Sequence, residues 1–315
     1  LIGRLFSVLP DLGMGIAWLV NFSSCLFSAL TVTAVYLVIV KAVTLNRDRN
    51  RLPFWENIVI CCSALSGSLF LAFSDTFWLN AVEAEVYALS MLIMVICTWL
   101  MLQWIELHEQ HDSERYLFLV VYLAFLGIAV HMFTMLVLPA ALLCVVFTDR
   151  NFWSNRKLLL LCPIMGLIMF SVVVSIDVFF LAVPLAIAGL ILFRGRLSSG
   201  FLLLVFIVAI IVLFFGMDGL GGYNELSLIV IGGFEASWGT VMFSLGIVSA
   251  ALALVSATAG DPGRYKWPFW MIVLCLTALG YSVNFYVPIR AAQQPIINEN
   301  DPSNWKNFEG FLGDR

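Results

Sequence analysis

Charge is scarce in this sequence. Asp, Glu, Lys and Arg make up only 11% of the 315 residues, where a soluble domain carries roughly one-quarter. With 62% of the side chains hydrophobic, a water-soluble globule is excluded. Basic runs are also missing, so no nucleic-acid surface is expected. The three histidines fall into no spacing with cysteine that would bind a metal, and no metal site is expected. All seven cysteines, Cys25, Cys61, Cys62, Cys97, Cys144, Cys162 and Cys275, lie inside apolar runs. No loop cysteine is placed for a disulfide framework, so they read as small core hydrophobes. The one Asn-x-Ser match, Asn21-Phe22-Ser23, falls within an expected helix and is a poor glycosylation acceptor. No basic start with an apolar core marks a signal peptide. The opening Leu1 and the unpunctuated end "NFEGFLGDR" read as those of an internal fragment.

Long apolar runs are abundant. Stretches of about 17 to 25 apolar residues are what a membrane helix needs. The fold class expected is therefore all-α: a polytopic integral membrane helical bundle. About ten segments are expected, at 17–40, 57–73, 86–104, 116–130, 132–148, 158–178, 180–193, 201–216, 239–257 and 268–287. The stretches 116–148 and 158–193 are short for two crossings each, so short or re-entrant helices are expected there. The domain reading is a multi-span membrane domain over 1–287 and a polar tail over 288–315. With ten crossings, twelve Lys and Arg residues fall in one set of loops. Four, Arg4, Arg290, Lys306 and Arg315, fall in the other. The positive-inside rule then puts both ends and the polar tail on the outer face.

That outer face also collects acids. "FSDTFWLNAVEAEVYALS", residues 73 to 90, places Asp75, Glu83 and Glu85 between two apolar runs. On a helix Glu83 and Glu85 would point about 200° apart, whereas in extended chain they would share a face. They could act as general base or orient a substrate. Equally, Glu85 could serve the positive end of a helix dipole, and Ser74-Asp75 could cap a short interfacial helix anchored by Phe77 and Trp78. His131 stands alone among apolar residues, as a hydrogen-bonded scaffold residue or a ligand for a phosphate oxygen or sugar hydroxyl. Arg290, in "FYVPIRAAQQP", and Arg4, in "LIGRLF", are suited either to bidentate phosphate binding or to snorkelling at the interface. Asp177 reads as the cap of a break before Pro184. "GMDGLGGYNEL" (216–226) follows no expected strand, which rules out a phosphate loop.

Three stretches together carry a resemblance: "FSDTFWLNAVEAEVYALSMLI", "GIAVHMFTMLVLPA" and "YVPIRAAQQPIINENDPSNW". They resemble a family of membrane glycosyltransferases first catalogued as a domain of unknown function and common in Bacteroidetes. Its animal relatives are protein O-mannosyltransferases of the transmembrane-protein-260 type. The family is similar in architecture to the GT-C superfamily. The resemblance implies a sugar, mannose foremost, carried on a polyprenyl phosphate and transferred to an acceptor hydroxyl of a protein or glycan. It implies no cofactor beyond that donor, and a bacterial inner membrane with the active face to the periplasm. Glu85 and Tyr87 match the family's Glu-Val-Tyr motif, His131 its Gly-x-x-x-His motif, and Arg290 its Pro-x-Arg-Ala motif. The family's catalytic acid is expected upstream of Leu1, with Glu85, Glu83 and Asp75 in supporting roles. Arg290, His131, Tyr87 and Arg4 are expected to bind donor and phosphate. A transporter or a non-catalytic membrane scaffold is the competing reading.

Overall fold

The computed structural model describes residues 5–6, 8, 15–47, 51–149, 176–193, 204–205, 207, 227–231, 234–237, 240–241, 243–249, 252, 267–296 and 298–313. The chain divides into two compact units, Leu1–Val145 and Val146–Arg315.

The first unit is a bundle of apolar helices: α1 (Ile16–Val43), α2 (Phe54–Ala72), α3 (Asp75–Val82), α4 (Tyr87–Leu107), α5 (Glu114–Ile128) and α6 (Val137–Thr148). A short 3-10 turn, Met132–Leu136, leads into α6. The helices are apolar on nearly every side, as a lipid environment requires, because no face needs to meet water. At 1.5 Å per residue, the 19 residues of α2 and 21 of α4 reach about 28 and 32 Å, matching a hydrocarbon core of about 30 Å. The 28 residues of α1 exceed that thickness, so α1 tilts or projects beyond it.

Small polar residues form the seam of the bundle. Ser24, Ser28 and Thr31 are buried one turn apart along α1, where small side chains let helix backbones approach. Opposite them α4 buries Leu92, Cys97, Leu100 and Trp104, the last fully enclosed. An ion pair between Lys41 of α1 and Glu106 of α4 ties the far ends of these two helices together. At the same end Arg47 Nη1 bonds Glu56 Oε1 at 2.6 Å. By contrast α2 buries only Ile60, Ala64 and Ser68, a narrow stripe, while its Phe70 is 82% exposed. Exposed aromatics mark both of its ends, Phe54 and Trp55 at one and Phe73 at the other. This is the pattern of a lipid-facing helix with an aromatic belt at each interface.

The second unit contains α7 (Ile176–Phe193), a two-stranded hairpin of β1 (Ser227–Ile231) and β2 (Phe234–Ser237), α8 (Trp267–Tyr281), a 3-10 turn (Ser282–Phe285), α9 (Tyr286–Ala291) and α10 (Trp305–Gly313). The hairpin pairs antiparallel, with Ile231 opposite Phe234. Ala182 and Ala186 of α7 pack with Ile247, Val248 and Leu274 in the local core.

The expected architecture needs several corrections. Among the described residues four helical stretches are long and apolar enough to cross a membrane: Ile16–Val43, Phe54–Ala72, Tyr87–Leu107 and Pro268–Ala291. About ten full crossings are not supported. The expected 116–130 and 132–148 spans are α5, of 15 residues, and a shorter apolar helical stretch, Met132–Thr148. The 15 residues of α5 cover only about 22 Å. Most of 158–178 and 201–216, and much of 239–257, lie outside the described residues. Expected spans 158–178 and 180–193 do not part at 179, because α7 runs through that point and past Pro184. The break expected before Pro184 is therefore absent from α7, in which Asp177 lies. Nor are the cysteines uniformly core residues. Cys97 is buried, but Cys25, Cys62 and Cys275 are exposed on apolar helices, where a thiol can face lipid.

Candidate functional site

The acidic stretch lies at the end of the first unit where α2 finishes and α4 begins. Ser74 precedes α3 but does not cap it. Its hydroxyl turns back and donates to the Leu71 carbonyl at 2.8 Å. Phe77 is 5% exposed and packs inward, so only Trp78, 53% exposed and stacked on Phe73, can act as an interfacial anchor. Asp75 is exposed in the first turn of α3, a favourable position for a carboxylate.

Four residues, 83–86, separate α3 from α4, the last of them, Val86, already in helical φ and ψ. Glu83 is extended, and the Glu85 N–H donates to the Glu83 carbonyl at 2.8 Å. That i to i+2 bond closes a tight three-residue turn. Both carboxylates are exposed. The Glu85 backbone is also held from across the bundle: its N–H donates to Ser24 Oγ at 3.3 Å, and Ser24 Oγ donates to its carbonyl at 3.4 Å. Tyr87 then opens α4.

His131 arrives from the end of α5. Its N–H donates to the Gly127 carbonyl at 2.9 Å, and its backbone is extended. The imidazole Nδ1 accepts from the Phe133 N–H at 3.2 Å, so His131 is the N-terminal cap of the Met132–Leu136 turn. An Nδ1 that accepts leaves the proton of the neutral ring on Nε2, making Nε2–H a donor. The ring contacts two aromatics, with centroids 4.9 Å from Tyr87 and 4.5 Å from Phe133. Thr134 locks this corner, its hydroxyl donating to the His131 carbonyl at 3.0 Å. A Cβ on Gly127 would lie 2.8 Å from three Thr134 side-chain atoms, so only glycine permits this approach.

The structure thus brings Tyr87 and His131 into contact and places the Glu83–Glu85 turn immediately before Tyr87. Arg290 belongs to the second unit, exposed on α9, where its Nη1 donates to Gln293 Oε1 at 2.7 Å. Arg4 lies outside the described residues, as does all of 216–226. Among the described residues no group of three or more His, Cys, Asp or Glu could hold a metal. The sequence reading passed over Ser24, Phe133 and Thr134. Only the serine–threonine seam of α1 offered a signal, since hydroxyls in membrane helices commonly bond across helices.

Residues 1–154 match the family model of the protein O-mannosyl-transferase TMEM260 N-terminal domain. The match covers the whole described acidic turn and the Tyr87–His131 pair, and stops before Arg290. No curated protein matches the chain, and no solved structure does.

Proposed function

We propose that this protein is a membrane glycosyltransferase moving a sugar, mannose foremost, from a polyprenyl-phosphate donor to a hydroxyl of a protein acceptor. The observation that carries the reading is the Tyr87–His131 contact beside an exposed acidic turn, inside the segment similar to a protein O-mannosyl-transferase domain. In this reading the Nε2–H of His131 donates to a phosphate oxygen or sugar hydroxyl of the donor. The faces of Tyr87 and Phe133 offer apolar surface to a sugar ring. Glu83 and Glu85 orient the acceptor hydroxyl, and a carboxylate here can take its proton as the glycosidic carbon is attacked. Arg290 has the chemistry to bind a lipid phosphate. The uneven distribution of Lys and Arg favours an outward-facing site, and the resemblance to a family common in Bacteroidetes suggests the periplasmic face of a bacterial inner membrane.

The test uses the full-length protein in lipid vesicles with polyprenyl-phosphate mannose and a Ser/Thr-containing peptide. Mannosylated peptide should appear, and Glu85→Gln should lose most of that turnover while inserting normally. Solute uptake with no donor consumed would replace the reading with transport.

A further inference from the structure

The hydroxyls of α1 behave differently from one another. Ser23, Thr31 and Thr33 donate to carbonyls of their own helix, Val20, Phe27 and Ala29, at 2.6, 2.8 and 2.9 Å. This is the usual way to satisfy a hydroxyl in a membrane helix. Ser24, 2% exposed, instead turns outward and bonds both backbone groups of Glu85, 61 residues away. The adjacent Cys25 thiol donates to the Ala81 carbonyl at 3.0 Å. That carbonyl belongs to the last turn of α3, where the helix leaves acceptors without partners of its own. Two consecutive residues of α1 thus hold both sides of the acidic turn. Besides the Glu85–Glu83 turn bond and the Ser90 N–H to Val86 carbonyl bond that starts the next helix, these are the hydrogen bonds that hold residues 81–86, and they tie the stretch to α1.

We propose that Ser24 is a positioning residue for sugar transfer, fixing the Glu85 backbone and thereby the direction of its carboxylate. The inference rests on the reading of Glu85 as part of the acceptor site. A carboxylate that orients a hydroxyl loses effect steeply with small displacements, since misplacement of about 1 Å can cost on the order of a hundredfold.

The experiment measures mannosyl transfer and backbone hydrogen exchange in full-length protein with Ser24→Ala, Ser24→Thr, Ser28→Ala, Glu85→Gln and Ser24→Ala/Glu85→Gln. Ser28, buried one turn further along α1, controls for loss of a seam hydroxyl. Ser24→Ala should lower kcat roughly ten- to a hundredfold with little change in donor KM. It should also speed exchange at the Glu85 amide, and Ser24→Thr should restore both. The double variant should be no slower than Glu85→Gln alone, because residues acting through one group are not additive. Turnover by Ser24→Ala equal to that of Ser28→Ala, with Glu85→Gln impaired, overturns the role of Ser24 alone. So does a well-folded Ser24→Thr as slow as Ser24→Ala. Normal turnover by Glu85→Gln overturns the site reading itself, and the role of Ser24 with it.

Discussion

The imidazole of His131 lies against the phenol ring of Tyr87, with centroids 4.9 Å apart and planes tilted by 45°. Forty-four positions separate them, yet each is placed by local rules. Tyr87 is the first residue of α4, and His131 caps the 3-10 turn that follows α5. The capping bond occupies Nδ1, so the scaffold and ligand readings of this histidine use different nitrogens of one ring.

That division can be tested at a single position. Asn caps a helical turn well, whereas Ala does not. His131→Asn should keep stability within about 0.5 kcal/mol of wild type, and His131→Ala should lose about 1 kcal/mol. Both should reduce transfer by roughly a hundredfold, the usual loss when one positioned donor is removed. Thermal unfolding in detergent, set beside turnover in vesicles, checks both arms. Full activity in His131→Asn would leave the residue a cap and nothing more.

Gly127→Ala should destabilise the first unit by about 1 to 3 kcal/mol, through overpacking against Thr134. Combining it with Thr134→Ser, which removes one of the crowded atoms, should recover part of the loss. Melting temperatures of the two variants decide this. An unaffected Gly127→Ala would mean the corner relaxes without cost.

The Lys41–Glu106 pair predicts that a second substitution rescues the first. Both side chains are largely withdrawn from solvent. Removing one partner strands a partly buried charge, so Lys41→Met alone should destabilise by about 1 to 3 kcal/mol. Lys41→Met with Glu106→Leu should be close to wild type, because an apolar pair of similar size can replace a buried ion pair. Scanning calorimetry of the purified protein would show whether the second substitution rescues the first.

Sidedness follows from chain direction. Ala84, in the acidic turn, and His111, in the α4–α5 loop, lie at opposite ends of α4. In intact cells a membrane-impermeant maleimide should label Ala84→Cys at once, and His111→Cys only after permeabilisation. The reverse pattern would invert the orientation inferred from Lys and Arg.

A good deal of this was legible without coordinates. The helices α1, α2, α4 and Pro268–Ala291 follow from runs of apolar side chains near bilayer length. The placement of the acids at one end and Lys41, Arg47 and Arg51 at the other follows from the alternation of those runs. Glu85, His131 and Asp177 stood out because ionisable groups near apolar segments are costly to place there, and Tyr87 through the resemblance of its Glu-Val-Tyr stretch alone.

Other features lay beyond the reach of composition. Apolar content alone cannot tell a full crossing from the 15-residue α5, nor foresee that α7 continues through Pro184. Phe77 and Trp78 are adjacent aromatics, and only packing decides that one faces the core and the other the interface. The Ser24–Glu85 clasp and the Tyr87–His131 contact join residues far apart in the chain. The sequence by itself determined that the chain enters a membrane as helices, because burying apolar surface is additive along a run. Which residues meet was decided by the tertiary structure, because hydrogen bonds and ring contacts depend on positions to a fraction of an ångström, and only the packing of whole helices sets those.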